Sequence, residues 1–343
     1  MPFQISTQPF GTLPTGTAPL TEYILEHTES GEFITIIPEF GGILRRLVLR
    51  KGQYLFALLH APDSPQTLLA DESYASALLY PFPSRIRHGI YHFEGEDYAL
   101  KMNEVNRDNA LHGFVHGRAF SVVGQEITPT QAQLVIRYDY AGDTVGYPFP
   151  FALTATYTLI QANLLPKGNH TTDDRMCALQ VSYSALNTGA TRCPASFGWH
   201  PYFTLSGESV DAMSLSLPNR TPILLDKNMI PHGMQAAELA GTIELHEKKL
   251  DTAFAIEPTS DSTSPESFAE TVLTSLETGV RLIVGQQTGE NKLNYLVCYT
   301  PTRRDSIAIE PLTANVDAFN NGEGLTILNP GETLSGTMWV RLE

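Results

Sequence analysis

The sequence predicts an all-β chain, a large antiparallel β-sandwich, from three observations. Apolar and polar residues alternate with a period of two along much of the chain. Gly, Pro, Asn and Asp interrupt these stretches at short intervals. Segments with a helical period are almost absent.

In chain order, residues 33–37, 43–49 and 90–100 are strand candidates, and 67–79 is the one place where a short helix fits. Leu134, Ile136, Tyr138 and Tyr140 then alternate with Val135, Arg137 and Asp139. From Phe151 to Ile160 the odd positions read Phe, Leu, Ala, Tyr, Leu, with Thr at 154, 156 and 158 on the other face. From Cys177 to Ala185 the odd positions read Cys, Leu, Val, Tyr, Ala, opposite Gln180, Ser182 and Ser184. Such alternation marks antiparallel strands with one face buried. Residues 280–285, 294–299, 306–310 and 336–342 complete the set, a spacing that suits a sandwich. The polar stretches 163–175 and 257–267 read as surface loops. Length alone suggests about two domains, but no linker and no repeat divides the chain, so residues 1–343 are expected to form one.

The charge balance, 22 − 37 = −15, excludes several function classes. Binding nucleic acid requires Lys and Arg to neutralise phosphates, and this surface repels them, as it repels an anionic membrane. No run of about 18 apolar residues suggests a transmembrane helix. The start Met1-Pro2-Phe3-Gln4 lacks the basic-then-apolar pattern of a secretory leader. Cys177, Cys193 and Cys298 are an odd, scattered set that fits reduced thiols. A cytoplasmic location is therefore expected, and the sequons at Asn169 and Asn219 are chance matches. No G-x-x-x-x-G-K-[ST] and no G-x-G-x-x-G after a strand is present, so nucleotide chemistry has no foothold.

Four segments carry residues that a purely structural sandwich would not need together. Tyr80-Pro81-Phe82-Pro83-Ser84-Arg85-Ile86-Arg87 projects Arg85 from a proline-fixed backbone, either as a fork for ligand oxygens or as half of a surface ion pair. In Asn106 to Phe114, His112 precedes a glycine that permits close approach. His116 follows at a metal-ligand spacing, but Gly113 and Gly117 and the lack of a third acidic ligand argue against a metal. In Phe197-Gly198-Trp199-His200-Pro201-Tyr202-Phe203, His200 is locked between aromatic residues, as a proton donor or as a satisfied core histidine. Glu310 ends the apolar run Ile307-Ala308-Ile309, where burial would make it a competent base; a capping carboxylate is the other reading.

Taken together, in this order and over nearly the whole chain, these segments resemble the aldose 1-epimerase (galactose mutarotase) family. Pro83-Ser84-Arg85-Ile86-x-x-Gly89, then Phe93-x-Gly95-x-x-Tyr98-x-Leu100, is similar to its N-R-I…G…Y-x-L stretch, with Ser84 where Asn is usual. Leu111-His112-Gly113 is similar to its L-H-G motif, with Phe114 where many members carry a second glycine. His200-Pro201-Tyr202-Phe203 matches its H-P-Y-F motif, the most specific signal. Leu250-Asp251-x-x-Phe254 resembles its D-x-x-F segment. Ile309-Glu310-Pro311, Asp317-Ala318-Phe319 and Asn329-Pro330-Gly331-Glu332 resemble its C-terminal stretch.

The resemblance implies a galactose-mutarotase-like supersandwich and interconversion of the α and β anomers of a hexose such as galactose or glucose. It implies Glu310 as base on the C1 hydroxyl and His200 as acid on the ring oxygen, with His112, Arg85 and Asp251 binding the sugar. The chemistry agrees: ring opening needs one group to accept a proton while another donates one, and closure needs the reverse, with no metal or cofactor. The expected partner is a monosaccharide, bound by a monomer or weak homodimer. A hexose-6-phosphate 1-epimerase is the near alternative and would need a further basic cluster, from Arg45 and Arg46 or from Arg85 and Arg87. A non-catalytic sugar-binding protein on the same fold is the other; Ser84 and Phe114 keep it open, whereas the His200–Glu310 pair argues for an enzyme. Specificity is expected from loops 163–175, 206–214 and 257–267.

Overall fold

In the computed structural model, strand makes up 55% of the chain and helix 6%, and the sheets are antiparallel, which is the predicted class. The structure describes residues 1–14, 16, 19–165, 176–257 and 267–343. Most of the two predicted surface loops, 166–175 and 258–266, lies outside the described residues.

Three sheets dominate. The N-terminal sheet is a five-stranded meander from Phe3–Thr12 to Tyr54–Ala57. The largest has nine strands, in the order Ser121–Ile127, Gln131–Tyr140, Phe151–Gln161, Cys177–Asn187, Thr333–Leu342, Arg281–Thr288, Ser267–Ser275, Met213–Leu217 and Gly241–Glu244. The third has eight strands and contains Asp251–Ile256, Tyr295–Tyr299, Ile307–Leu312 and Gly198–His200 side by side.

Period-two patterning explains why these segments are strands. In Cys177–Asn187 every odd residue is buried, while Gln180, Ser182 and Ser184 are only partly covered. Phe151–Gln161 behaves the same way up to Tyr157. Beyond it both faces are covered, because Ile160 packs with Ala178, Phe268 and Trp339 in a second apolar cluster. The expected strand at 90–100 is a hairpin, Ile90–Phe93 paired with Glu96–Ala99. The expected helix at 67–79 is shorter and earlier, Pro65–Ala70, with Pro65 in its first turn and a capping box between Ser64 and Thr67. It stops because the Asp71 carboxylate takes the backbone N–H groups of Ser73 and Ala75. Tyr74 and Ser76 turn through positive φ, and Ala77–Leu79 is already strand.

Two of the sheets are joined by a buried polar seam. Glu32, on the N-terminal sheet, is fully buried and accepts from the Arg50 N–H (2.9 Å) and the Ser30 hydroxyl (2.7 Å). It also accepts from the N–H of Cys177, which opens a strand of the nine-stranded sheet (3.1 Å to each oxygen). His27, Glu32 and Cys177 place ligand-type atoms within 4.8 Å of one another. Protein donors already occupy the carboxylate, so the cluster is a hydrogen-bonded seam rather than a vacant metal site. Glu32→Ala leaves those buried donors unpaired and is expected to cost about 3–5 kcal/mol of unfolding free energy, by analogy with breaking a buried charged network. Urea denaturation followed by circular dichroism checks this; a loss under about 1 kcal/mol would contradict the role given to the seam.

Candidate active site

Register in the eight-stranded sheet puts two carboxyl groups on one face. Glu310 pairs with Val297, and Asp251 pairs with Tyr299. Cross-strand partners share a face, and Val297 and Tyr299, two apart on one strand, share it too. Glu310, Val297, Tyr299 and Asp251 therefore look into the same space, a cavity of about 420 Å³ that all four line. His200, the last residue of Gly198–His200, reaches the same cavity from the next strand beyond Ile307–Leu312. Gly198 lets that strand lie close: a Cβ there would meet Leu312 Cδ2 at 2.5 Å and Pro83 Cβ at 2.8 Å.

The opposite wall comes from the N-terminal half. Arg85–Arg87 pairs with Asn109–Leu111, so Arg85 lies opposite Leu111, next to His112. Gly113 supplies the close approach, but to backbone rather than to a ligand. It has φ +64° and a Cβ there would stand 2.1 Å from the Tyr80 carbonyl oxygen. All five residues singled out in the sequence, Arg85, His112, His200, Asp251 and Glu310, line this one cavity.

His200 Nε2 lies 3.4 Å from Glu310 Oε1, with the two residues 6% and 3% exposed. Burial is the main cause of both pKa shifts. It lowers His200 to about 4, and Arg85 adds to that. It raises Glu310 well above the carboxylate range, and the Asp251 charge adds to that while Arg85 opposes it. Burial thus favours an acid and a neutral imidazole. That pair holds the same number of protons as a carboxylate and an imidazolium, so one internal proton transfer interconverts them.

His112 is fixed in one tautomer. Its Nδ1 accepts the Ser84 backbone N–H at 3.1 Å, and the His112 backbone N–H donates to the Ser84 carbonyl at 2.8 Å, which holds the two residues together. The neutral ring therefore carries its proton on Nε2 and acts as a donor. Tyr74 packs on this ring at 4.7 Å and His200 meets it edge-on at 5.1 Å. Burial lowers the His112 pKa well below its usual value, with the neighbouring His200 and Arg85 acting in the same direction. Arg85 lines the cavity and donates through Nε (2.8 Å) and Nη2 (2.9 Å) to Glu104, so Nη1 is the part of its fork that Glu104 does not take. It is both an ion-pair partner and a cavity residue. Asp251 is exposed toward the cavity, yet its crowded surroundings raise its pKa.

Sequence reasoning missed several lining residues. Tyr74, Tyr202 and Tyr299 add aromatic walls, with Tyr202 stacked on His200 at 5.1 Å. Tyr202 stands in the H-P-Y-F motif; Tyr74 was hidden by the expected helix. Of the two departures from the family pattern, only Ser84 touches the cavity. Phe114 packs into the core against Tyr140, Tyr147 and Phe151. Segment 206–214 does not line the cavity; there Asp211 ties down Arg304.

The sheets and the one-sided cavity define a galactose-mutarotase-like fold. The chain belongs to the aldose 1-epimerase family, whose profile matches residues 24–341. It is 26% identical over 271 residues to the uncharacterised protein YihR of Escherichia coli (strain K12), covering 74% of this chain and 75% of that one. Among solved structures it resembles a galactose mutarotase-like protein from Clostridium acetobutylicum (TM-score 0.77, 18% identity, 99% and 98% of the two chains covered). It also resembles galactose 1-epimerase from Lactobacillus acidophilus NCFM (TM-score 0.75, 16% identity, 99% of each chain).

The tautomer assignment has a direct check. Ring nitrogen NMR of His112 should show a neutral imidazole protonated at Nε2 at pH 6.5 and above; an imidazolium pattern there would refute the Ser84–His112 hydrogen-bond assignment.

Proposed function

We propose that this protein is an aldose 1-epimerase that interconverts the anomers of an unphosphorylated aldohexose such as glucose or galactose. The observation that carries the reading is the buried Glu310–His200 contact at 3.4 Å, opening into a cavity walled by aromatic rings and a few fixed donors. The two oxygens on C1 of a cyclic sugar, the ring oxygen and the anomeric hydroxyl, are neighbours on one carbon. Two proton-transfer groups that are themselves neighbours match that arrangement.

In the proposed mechanism, Glu310 in its carboxylate form takes the proton from the C1 hydroxyl. The His200 imidazolium gives its proton to the ring oxygen as the C1–O bond breaks. The open-chain aldehyde turns about C1–C2, and the same groups act in reverse to close the ring from the other face. Arg85 and the Nε2–H of His112 hold sugar oxygens, Asp251 accepts from hydroxyls, and the tyrosine rings cover apolar sugar faces. The resting proton count of the pair serves both directions, so each half-reaction regenerates the state the other needs.

The phosphorylated alternative receives less support. Arg45 is taken by Glu22 (Nε to Oε1, 2.6 Å), Arg46 lies over the Phe33 ring, and neither lines the cavity. Arg87 is also absent from the lining; of the three arginines that do line it, Arg85 and Arg107 share one carboxylate, Glu104, and Arg303 pairs with Asp305 at 3.3 Å.

Polarimetry on freshly dissolved α-D-glucose and α-D-galactose tests the reading. The wild type should speed decay to the equilibrium rotation. Glu310→Gln and His200→Asn should each lower kcat by about 10²–10⁴-fold, the usual worth of a general acid or base. A variant that keeps its rate removes that residue from the mechanism. Binding without acceleration would favour the sugar-binding protein instead.

The pH profile follows from the same pair. The active form holds one shared proton. Below the lowered His200 value, about 4, the pair gains a second proton and the base is lost. Above the raised Glu310 value the shared proton leaves and the acid is lost. The plot of kcat/KM against pH should therefore fall on the acid side near pH 4 and on the alkaline side well above the usual carboxylate range. A profile that rises with pH throughout would contradict this.

A further inference from the structure

Glu104 does not line the cavity, yet it anchors three side chains beside it. Its Oε2 accepts from Arg85 Nε at 2.8 Å and from Asn109 Nδ2 at 3.0 Å. Its Oε1 accepts from Arg85 Nη2 at 2.9 Å and Arg107 Nη1 at 2.9 Å. Four charge-assisted or amide donors on one carboxylate, itself only 9% exposed, make a rigid clamp. The backbone fixes the clamp as well: Glu104 and Asn109 exchange N–H···O bonds of 3.2 and 3.3 Å across the short turn at Val105–Arg107.

The clamp matters because of what else is near Arg85. The charge of Arg85 acts on Glu310, Asp251, His200 and His112, all of which share the cavity. A guanidinium freed from its bidentate partner can pair with another carboxylate, and Glu72, Asp251 and Glu310 line the same cavity as Arg85. A pair with Glu310 would hold it ionised and tie up the base.

We propose that Glu104 is a positioning residue that pins Arg85 to the cavity wall, presents the Nη1 end of its fork to the sugar and keeps the guanidinium off Glu310. This rests on the epimerase reading for its kinetic consequence, but not for its structural one. The groups that face Glu310 are His200, Tyr202, Asp251 and Arg85, and of these only Arg85 is held by Glu104; Arg107, released with it, acts on Asp251.

The test is a double-mutant cycle of Glu104→Gln and Arg85→Ala, with two readouts. In polarimetry, Glu104→Gln should raise KM roughly tenfold and move the alkaline limb of kcat/KM to lower pH. On the Arg85→Ala background it should add little, because residues acting through one another are not additive. Glu104→Asp should recover part of the loss. The second readout is the side-chain carboxyl ¹³C resonance of Glu310, assigned by its loss in Glu310→Gln. Its titration should move to lower pH in Glu104→Gln and not in the double variant. Equal effects of Glu104→Gln with and without Arg85, or an unmoved Glu310 titration, overturn the proposal. If the wild type accelerates neither sugar, the epimerase reading fails and the ¹³C titration alone decides this one. If Glu104→Gln does not fold, the cycle is run with Glu104→Asp, where shifts in the same directions but smaller are expected and must again vanish on the Arg85→Ala background.

Discussion

Taking a carboxyl and an imidazole out of water costs free energy that only their surroundings can offset, and much of this chain serves that need. Glu310 sits in a strand with neighbours on both sides, so its backbone is fixed before its side chain is considered. His200 is held at the end of an adjacent strand by pairing with Ala77. With both ends fixed, the two groups meet at 3.4 Å without either needing a flexible loop. The same burial that makes the pair costly gives it proton affinities unlike those of surface groups.

Around this pair the polar groups fall into two kinds. His112, Arg85 and Asp251 face the cavity. Glu104 and Asn109, and Ser84 at the cavity edge, hold those residues or the chain beside them, and decide which hydrogens and which charges the cavity sees. A backbone amide sets the tautomer of His112, and a carboxylate sets the direction of Arg85. Specificity in such a site is written as much in the supporting residues as in those that touch the ligand.

Strands with one dry and one wet face were legible in the sequence, because alternation is a local property: Cys177–Asn187 shows it residue by residue. Phe3–Thr12 was not, because this edge strand buries only Phe3 fully and offers no clean period. That Arg85, His112, His200, Asp251 and Glu310 belong together was legible through their motifs and through the chemistry of a carboxylate and an imidazole, and all five line one cavity. What joined Glu310 to Asp251 was not, since it depends on register with Tyr295–Tyr299, a strand belonging to neither motif. Glu104 escaped for a similar reason. Its partner Arg85 is 19 positions away, and nothing in the intervening segment signals the contact.

One wall of the cavity comes from the first third of the chain and the other from its middle and last thirds. They are stitched together directly: the Arg87 N–H donates to Asp317 Oδ1 at 2.9 Å across 230 residues of sequence, and the Asp317 N–H donates to the Arg85 carbonyl at 2.8 Å. Contacts of such long range close large loops and are entropically expensive to form early. Strand content can therefore return during refolding well before the site exists. The site is a reporter of complete assembly, and a chain released before its last strands are made has the fold's beginnings but lacks the cavity.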